Sequence, residues 1–421
     1  MREVHLVAVG MMDFGKYPDS GIKDLTAWAM EDLLSSYPVT KEQIDAVWFA
    51  NAGWGMSIGQ HCIRGQVALA PLGIGEIPVM NVENACAGGS SAFHGAWMGI
   101  AAGAYDVALA VGAEKTFVAK DATPEQKAQG FKGFLAGTDV EVTTKLIETM
   151  QAEAERKRKE MEEKGEISRG GGGARSPFMD IYSIAARAHM ERHGTTQDQL
   201  AAIAAKNHHH GSLNPRAQYR NDMTVQEVLD DRLVSYPLTR AMCAPVGDGA
   251  AAAVLVAGDA LDRFAEVRPC RVRASALSSG TVSGGKNMSA VTAARAYEMA
   301  GVGPDEIDTA EVHDATAFGE LAVTEALGFC GEGEGGPYAA SGATTIGGAR
   351  PVNPSGGLEC RGHPIGATGL AQIAEIFYQL TGRAGARQVE GARLGLTENG
   401  GGFIGTGEAA VAVHILEGPP D

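Results

Sequence analysis

Short apolar runs alternate along this chain with longer stretches in which apolar residues recur every three or four positions. Val4–Gly10, Ile44–Ala52, Asp106–Glu114 and Ala250–Gly258 are nearly continuous apolar runs and predict buried strands. Ile22–Tyr37 has helical spacing and predicts an amphipathic helix. Buried strands separated by helices predict an α/β protein whose mostly parallel sheet is covered on both faces.

One region breaks the rhythm. Lys145–Phe178 is densely charged and then glycine-rich, ending in RGGGGAR and SPF. The charged part predicts an exposed helix with many close opposite charges, and the glycine run a loop. Two readings stand: a flap that brings Arg169 and Arg175 to phosphates, or a solvated surface excursion.

The pattern also repeats. Leu25–Ala52 and Val291–Ala315 each read as a helix, a turn with an acidic residue, an Ile-Asp pair and a strand. The pairs are Ile44–Asp45 and Ile307–Asp308, and the strands end near Asn51 and Asp314. A second match follows in the same order. Cys86 opens a small-residue helix followed by the strand DVALAVG, and His363 opens a helix followed by GARLGLTENGG. Two ordered matches indicate a duplicated α/β unit, with Cys86 and His363 at corresponding junctions.

Composition narrows the function classes. With 421 residues, 44% hydrophobic and 20% charged, the chain has the make-up of a globular enzyme. A net charge of −16 argues against a nucleic-acid-binding face, while leaving room for an anion in a local pocket. The 6 cysteines lie far apart with no CxxC pair, so neither a zinc ribbon, a bound metal nor a disulfide framework is expected. No window is apolar enough to span a membrane, and the N-terminus does not read as a signal peptide, so a reduced, cytoplasmic protein is expected.

The candidate chemistry sits at strand–helix junctions, where such sheets gather ligands. Cys86 lies in NACAGGSSA, at a helix N-terminus that would lower a thiol pKa. It is either a nucleophile or a small buried residue in a tight turn. His363, in GGLECRGHPIGATG, could take a thiol proton. His313, in EVHDATAF, could point a nitrogen at a developing oxyanion. Each histidine alone could equally be a hydrogen-bonded core residue. The glycine turn Thr397–Gly405 could offer backbone N–H groups to a carbonyl oxygen, with Glu398 as a base or as a surface carboxylate.

From end to end the chain resembles the thiolase superfamily. NVENACAGGSSA resembles its nucleophile motif, GDGAAAAVL a strand motif, EVHDATAFGELAVTEALGFC the histidine motif, and NPSGGLECRGHPIGATG the histidine loop. The HD pair and the NPSGG lead-in are closest to the sterol-carrier-protein type. The resemblance implies two duplicated βαβαβαββ halves in a five-layer αβαβα sandwich with an inserted loop domain. The corresponding boundaries are 1–118 plus 241–262, then 119–240 covering the acyl-CoA, then 263–421.

It also implies roles. Cys86 is the acylated nucleophile. His363 activates it and helps form a first oxyanion hole that His313 completes. The N–H groups of Cys86 and Gly400 form a second hole. Coenzyme A, a substrate rather than a resident cofactor, lies against the loop domain and CAPVGDG, with Ala244 where many relatives have serine and Arg175 as a further contact. A homodimer is implied through the segment Ile77–Val82, and a small zinc-ribbon/OB-fold accessory subunit is a further implied partner. One departure stands out. The family's second cysteine is missing: its two usual positions hold Glu398 and Ala315.

The leading expectation is cleavage of a 3-oxoacyl-CoA by CoA, or the reverse condensation, with an aromatic or polar acyl group such as that of benzoylsuccinyl-CoA. The alternatives are a retro-aldolase acting on steroid side-chain CoA esters and a non-catalytic acyl-CoA-binding subunit.

Overall fold

The chain is described from a computed structural model covering residues 1–118, 123, 125, 135–145, 148–149, 177–283, 285–405 and 407–420. Most of the charged segment expected to be helical, together with Arg169 and Arg175, lies outside the described residues.

Nine strands form one sheet: β1 (Val4–Met11), β2 (Ala46–Ala50), β3 (Val79–Val82), β4 (Val107–Glu114), β7 (Gly249–Ala257), β8 (Cys270–Ser279), β9 (Thr309–Glu311), β10 (Leu394–Ile404) and β11 (Gly407–Glu417). A two-stranded ribbon of β5 (Leu233–Ser235) and β6 (Leu238–Thr239) stands apart. The order in the large sheet is β3-β2-β4-β7-β1-β8-β11-β10-β9. Within the sheet the two halves are joined where His5 and Leu6 of β1 pair with Arg271 and Cys270 of β8. On either side of that seam the same pattern runs outward: β1-β7-β4-β2 in one direction, β8-β11-β10-β9 in the other.

The repeat seen in the sequence has a local physical cause. Asp45 accepts hydrogen bonds from the backbone N–H groups of Asp106 and Val107 through Oδ2 at 3.0 and 2.8 Å. Asp308 does the same for Arg393 and Leu394, both at 2.8 Å. Each carboxylate therefore ties the start of one parallel strand to the start of its neighbour. Ahead of each aspartate a one-turn helix is closed by a side chain reaching back, Gln43 to Thr40 N–H and Glu306 to Gly303 N–H.

Two corresponding helices, Gly88–Ala101 and Thr368–Thr381, fill the layer between the two halves of the sheet. They cross closely because their contact residues are glycine. A Cβ on Gly369 would lie 2.2 Å from Ser90 Oγ, and one on Gly89 would lie 3.0 Å from Leu370 N. Helices Ile22–Ser36 and Met288–Ala300 cover the outer faces, giving the five layers.

The buried apolar residues fall into three clusters. The first is centred on β1, β4 and β7, the second on β8, β10 and β11. The third joins buried residues between Ala186 and Cys243 to Ala317, Phe318 and Leu321. No helix among the described residues is long and apolar enough to cross a membrane.

Candidate active site

Strand β3 turns into the central helix through Ala85, whose φ of +46° is a left-handed conformation that a side chain rarely adopts. That turn delivers Cys86 one residue later. Gly401 of β10 lies against the back of it, since a Cβ there would come within 2.4 Å of Ala87 N. On the C-terminal side, the loop Asn353–Gly369 delivers His363 and is stitched to the strand that carries His313. Asp314 accepts from the N–H groups of Leu358 and Glu359 at 2.7 and 3.3 Å. Glu311 accepts from Ser355 N–H at 3.0 Å and pairs with the buried Arg361 at 3.0 Å. Glu114 of β4 reaches across from the other half and takes the Gly366 N–H at 3.2 Å.

The result is a tight triad. His363 Nε2 lies 3.1 Å from Cys86 Sγ, and the rings of His363 and His313 meet edge-on at 5.2 Å. The three ligand atoms lie within 4.8 Å of one another, the one such Cys/His/carboxylate set among the described residues that could also share a metal ion. Each imidazole is oriented from behind. Thr368 Oγ donates to Pro364 O at 3.1 Å, so it accepts from His363 Nδ1 at 2.8 Å and leaves Nε2 with a lone pair toward the thiol. Asn399 Nδ2 donates to His313 Nδ1 at 3.0 Å. Ser90 Oγ donates to Asn399 Oδ1 at 3.0 Å. His313 Nε2 therefore carries the proton and can donate.

The electrostatics reverse one expectation. The helix N-terminus was expected to lower the Cys86 thiol. Burial instead pushes it up to about 12, against the pull of the Gly402 N–H group and with Glu114 adding to the rise. Burial, then His313 and Arg361, holds His363 well below the ordinary imidazole value. Burial lowers His313 to about 4. At neutral pH the pair rests as thiol and neutral imidazole, and the proton moves as the nucleophile attacks.

The triad opens into a cavity of about 550 Å³. Ala244, Ala315, Gly400, Met179, Tyr182 and Phe403 are among its lining residues. Arg64, Arg232 and Arg240 bring positive charge to it. Glu398 is placed elsewhere. It is 1% exposed and does not line the cavity. Its Oε1 accepts from Ser289 Oγ at 2.7 Å and its Oε2 from the His313 N–H at 3.1 Å. It is not the surface carboxylate of the sequence reading, and its oxygens are engaged behind His313 rather than offered to a substrate. Cys360, near His363 in sequence, is fully buried away from the cavity. Thr368, Asn399, Glu311 and Glu114 are site residues that sequence reasoning missed. Their motif neighbourhood was the one available signal.

A family model described as the thiolase N-terminal domain matches residues 4–236, and one described as thiolase C-terminal domain-like matches residues 276–416. The chain belongs to the thiolase family. It is an enzyme, an acyltransferase of the thiolase type. It is 37% identical to an acetyl-CoA acetyltransferase of Methanothermobacter thermautotrophicus, over 99% of this chain and 100% of that protein. It is 32% identical to human sterol carrier protein 2, over 100% of this chain and 73% of that protein. It is 31% identical to the benzoylsuccinyl-CoA thiolase subunit BbsB of Thauera aromatica, over 95% of each. Among solved structures it resembles an Ltp2-ChsH2(DUF35) aldolase, with a TM-score of 0.73, 19% identity and coverage of 100% and 98%. It also resembles human mitochondrial 3-ketoacyl-CoA thiolase in complex with CoA, with a TM-score of 0.70, 18% identity and the same coverage. At these identities the two structures share the fold with this thiolase-family chain.

Proposed function

We propose that this thiolase cleaves a 3-oxoacyl-CoA with CoA, or runs the reverse Claisen condensation, through an acyl-Cys86 intermediate. The observation that carries the reading is the 3.1 Å contact between Cys86 Sγ and the lone-pair nitrogen of His363. His363 takes the thiol proton as sulfur attacks the 3-oxo carbon. Burial makes the free thiolate costly, so its formation is coupled to attack. The N–H groups of Cys86 and Gly400 receive the oxygen of the attacked carbonyl. His363 and His313 Nε2 receive the enolate oxygen of the departing acyl-CoA.

The cavity suits an acyl group larger than acetyl, and its Met179, Tyr182 and Phe403 walls suit an aromatic or branched one. In this reading CoA enters over Ala244–Val246, with Arg232 and Arg240 near its phosphates and Ala244 leaving room where many relatives have serine. Residues 119–240 form the loop domain over the acyl-CoA, with Arg175 a further phosphate contact. The halves are 1–118 with 241–262, and 263–421. A homodimer forms through β3, which is the outer edge of the sheet and is only partly buried. A small zinc-ribbon/OB-fold partner belongs to the same proposal, as does a cytoplasmic location.

The test is turnover of a panel of 3-oxoacyl-CoAs with CoA, with products separated by chromatography. Two acyl-CoA products support thiolysis. One acyl-CoA plus a free ketone or aldehyde, formed from a 3-hydroxyacyl-CoA without CoA, would establish the retro-aldolase reading instead.

A further inference from the structure

The geometry points to Glu408 as the acid–base group that replaces the family's second cysteine. The inference rests on the acyl-transfer reading above. Thiolysis requires a group beside the nucleophile that gives a proton to the substrate α-carbon and takes one from CoA. Neither usual position holds a thiol: Ala315 has no titratable atom, and both Glu398 oxygens are engaged by Ser289 and the His313 N–H.

Among the described residues two carboxylates line the cavity, Glu83 and Glu408. Glu83 Oε1 is occupied by the Ala85 N–H at 2.6 Å, within the turn that presents Cys86. The Glu408 carboxylate has neither a hydrogen bond nor an ion pair among the described residues. The hairpin of β10 and β11 brings it in, because Glu408 pairs with Phe403, just beyond the glycine turn. Its side chain runs along Gly400: a Cβ on that glycine would lie 3.0 Å from Glu408 Cγ and 3.9 Å from its carboxyl carbon. Any second-cysteine-like group must reach this place, where the attacked carbonyl is held between Gly400 and Cys86.

The step balances as follows. The Cys86 proton passes to His363 while sulfur bonds to C3. The C2–C3 bond breaks, and its electron pair takes the proton of the Glu408 carboxyl at C2, releasing one acyl-CoA. The Glu408 carboxylate then removes the proton of incoming CoA. The CoA sulfur attacks the Cys86 thioester, and the Cys86 sulfur recovers its proton from His363.

The experiment compares the full-length wild type with Glu408→Gln and Glu408→Asp. Three quantities are read: C2 hydrogen exchange of a saturated acyl-CoA in deuterated water, thiolysis, and acylation of Cys86 by that acyl-CoA. Glu408→Gln should lose exchange and thiolysis by about a hundredfold or more while Cys86 is still acylated. Glu408→Asp, which keeps the carboxylate, should retain more exchange than Glu408→Gln and carries the test if the glutamine variant does not fold. A smaller loss in Glu408→Gln, or a folded Glu408→Asp without exchange beside normal Cys86 acylation, overturns the assignment. A wild-type chain that neither acylates Cys86 nor exchanges C2 hydrogens sinks the acyl-transfer reading itself, whatever Glu408 does.

Discussion

Asn399 Nδ2 donates to His313 Nδ1 at 3.0 Å, and this bond decides which nitrogen of His313 carries the proton. On its other side the amide accepts from the Ser90 hydroxyl through Oδ1 at 3.0 Å. The oxyanion donor is thus set by a residue that need not touch the substrate.

Asn399→Leu should therefore lower kcat by about tenfold to a thousandfold, the cost of losing an oxyanion-hole donor. KM and the alkylation rate of Cys86 should change little. Steady-state kinetics check this. An unchanged kcat would mean that His313 finds its tautomer without Asn399.

The Cys86–His363 pair should be neutral at rest, since burial raises the thiol to about 12 and depresses the imidazole. No thiolate ultraviolet absorbance should be lost on converting Cys86 to Ala at about pH 7. Thr368→Val should slow acylation by about tenfold or more, because His363 Nδ1 loses the acceptor that fixes its tautomer. A thiolate signal in the resting enzyme would contradict the neutral pair.

Glu398 should make stability depend on pH near neutrality. Burial raises its carboxyl to about 7 from an ordinary value of 4.5, against the pull of Ser289. The folded protein then holds this proton more tightly than the unfolded chain. The stabilisation is full below the ordinary value and is lost as pH rises through about 7. Glu398→Gln, which cannot ionise, should lose less melting temperature than wild type between about pH 5 and about pH 8. His313 acts with the opposite sign. Its stabilisation is full above the ordinary histidine value and is lost as pH falls through about 4. Parallel melting curves for Glu398→Gln and wild type would show that Glu398 does not titrate in that window.

The duplication was legible because each Ile-Asp pair performs the same local task, capping the start of a neighbouring strand. Cys86, His313 and His363 were legible because each sits at a strand–helix junction within a motif. Their supports were not. Asn399 reaches His313 across 86 residues of chain, and Thr368 meets His363 only in the turn that opens the central helix, contacts that a chain read in order does not show. Glu398 misled for the same reason: its position by motif is right, but Ser289 and the His313 backbone hold it behind the ring. Glu408 lies ten residues further on, and only the register of the β10–β11 hairpin brings it to the glycine turn. The thiol pKa was misjudged because the helix-end effect is small beside the cost of a buried charge.

The most direct measurement is peptide mass spectrometry of the enzyme quenched in acid during turnover of a 3-oxoacyl-CoA. The account predicts that the acyl fragment, not the intact substrate, is attached to the peptide containing Cys86, and that Cys86→Ala shows neither adduct nor turnover. Sustained turnover in folded Cys86→Ala, or an acyl group carried on another residue, would contradict it.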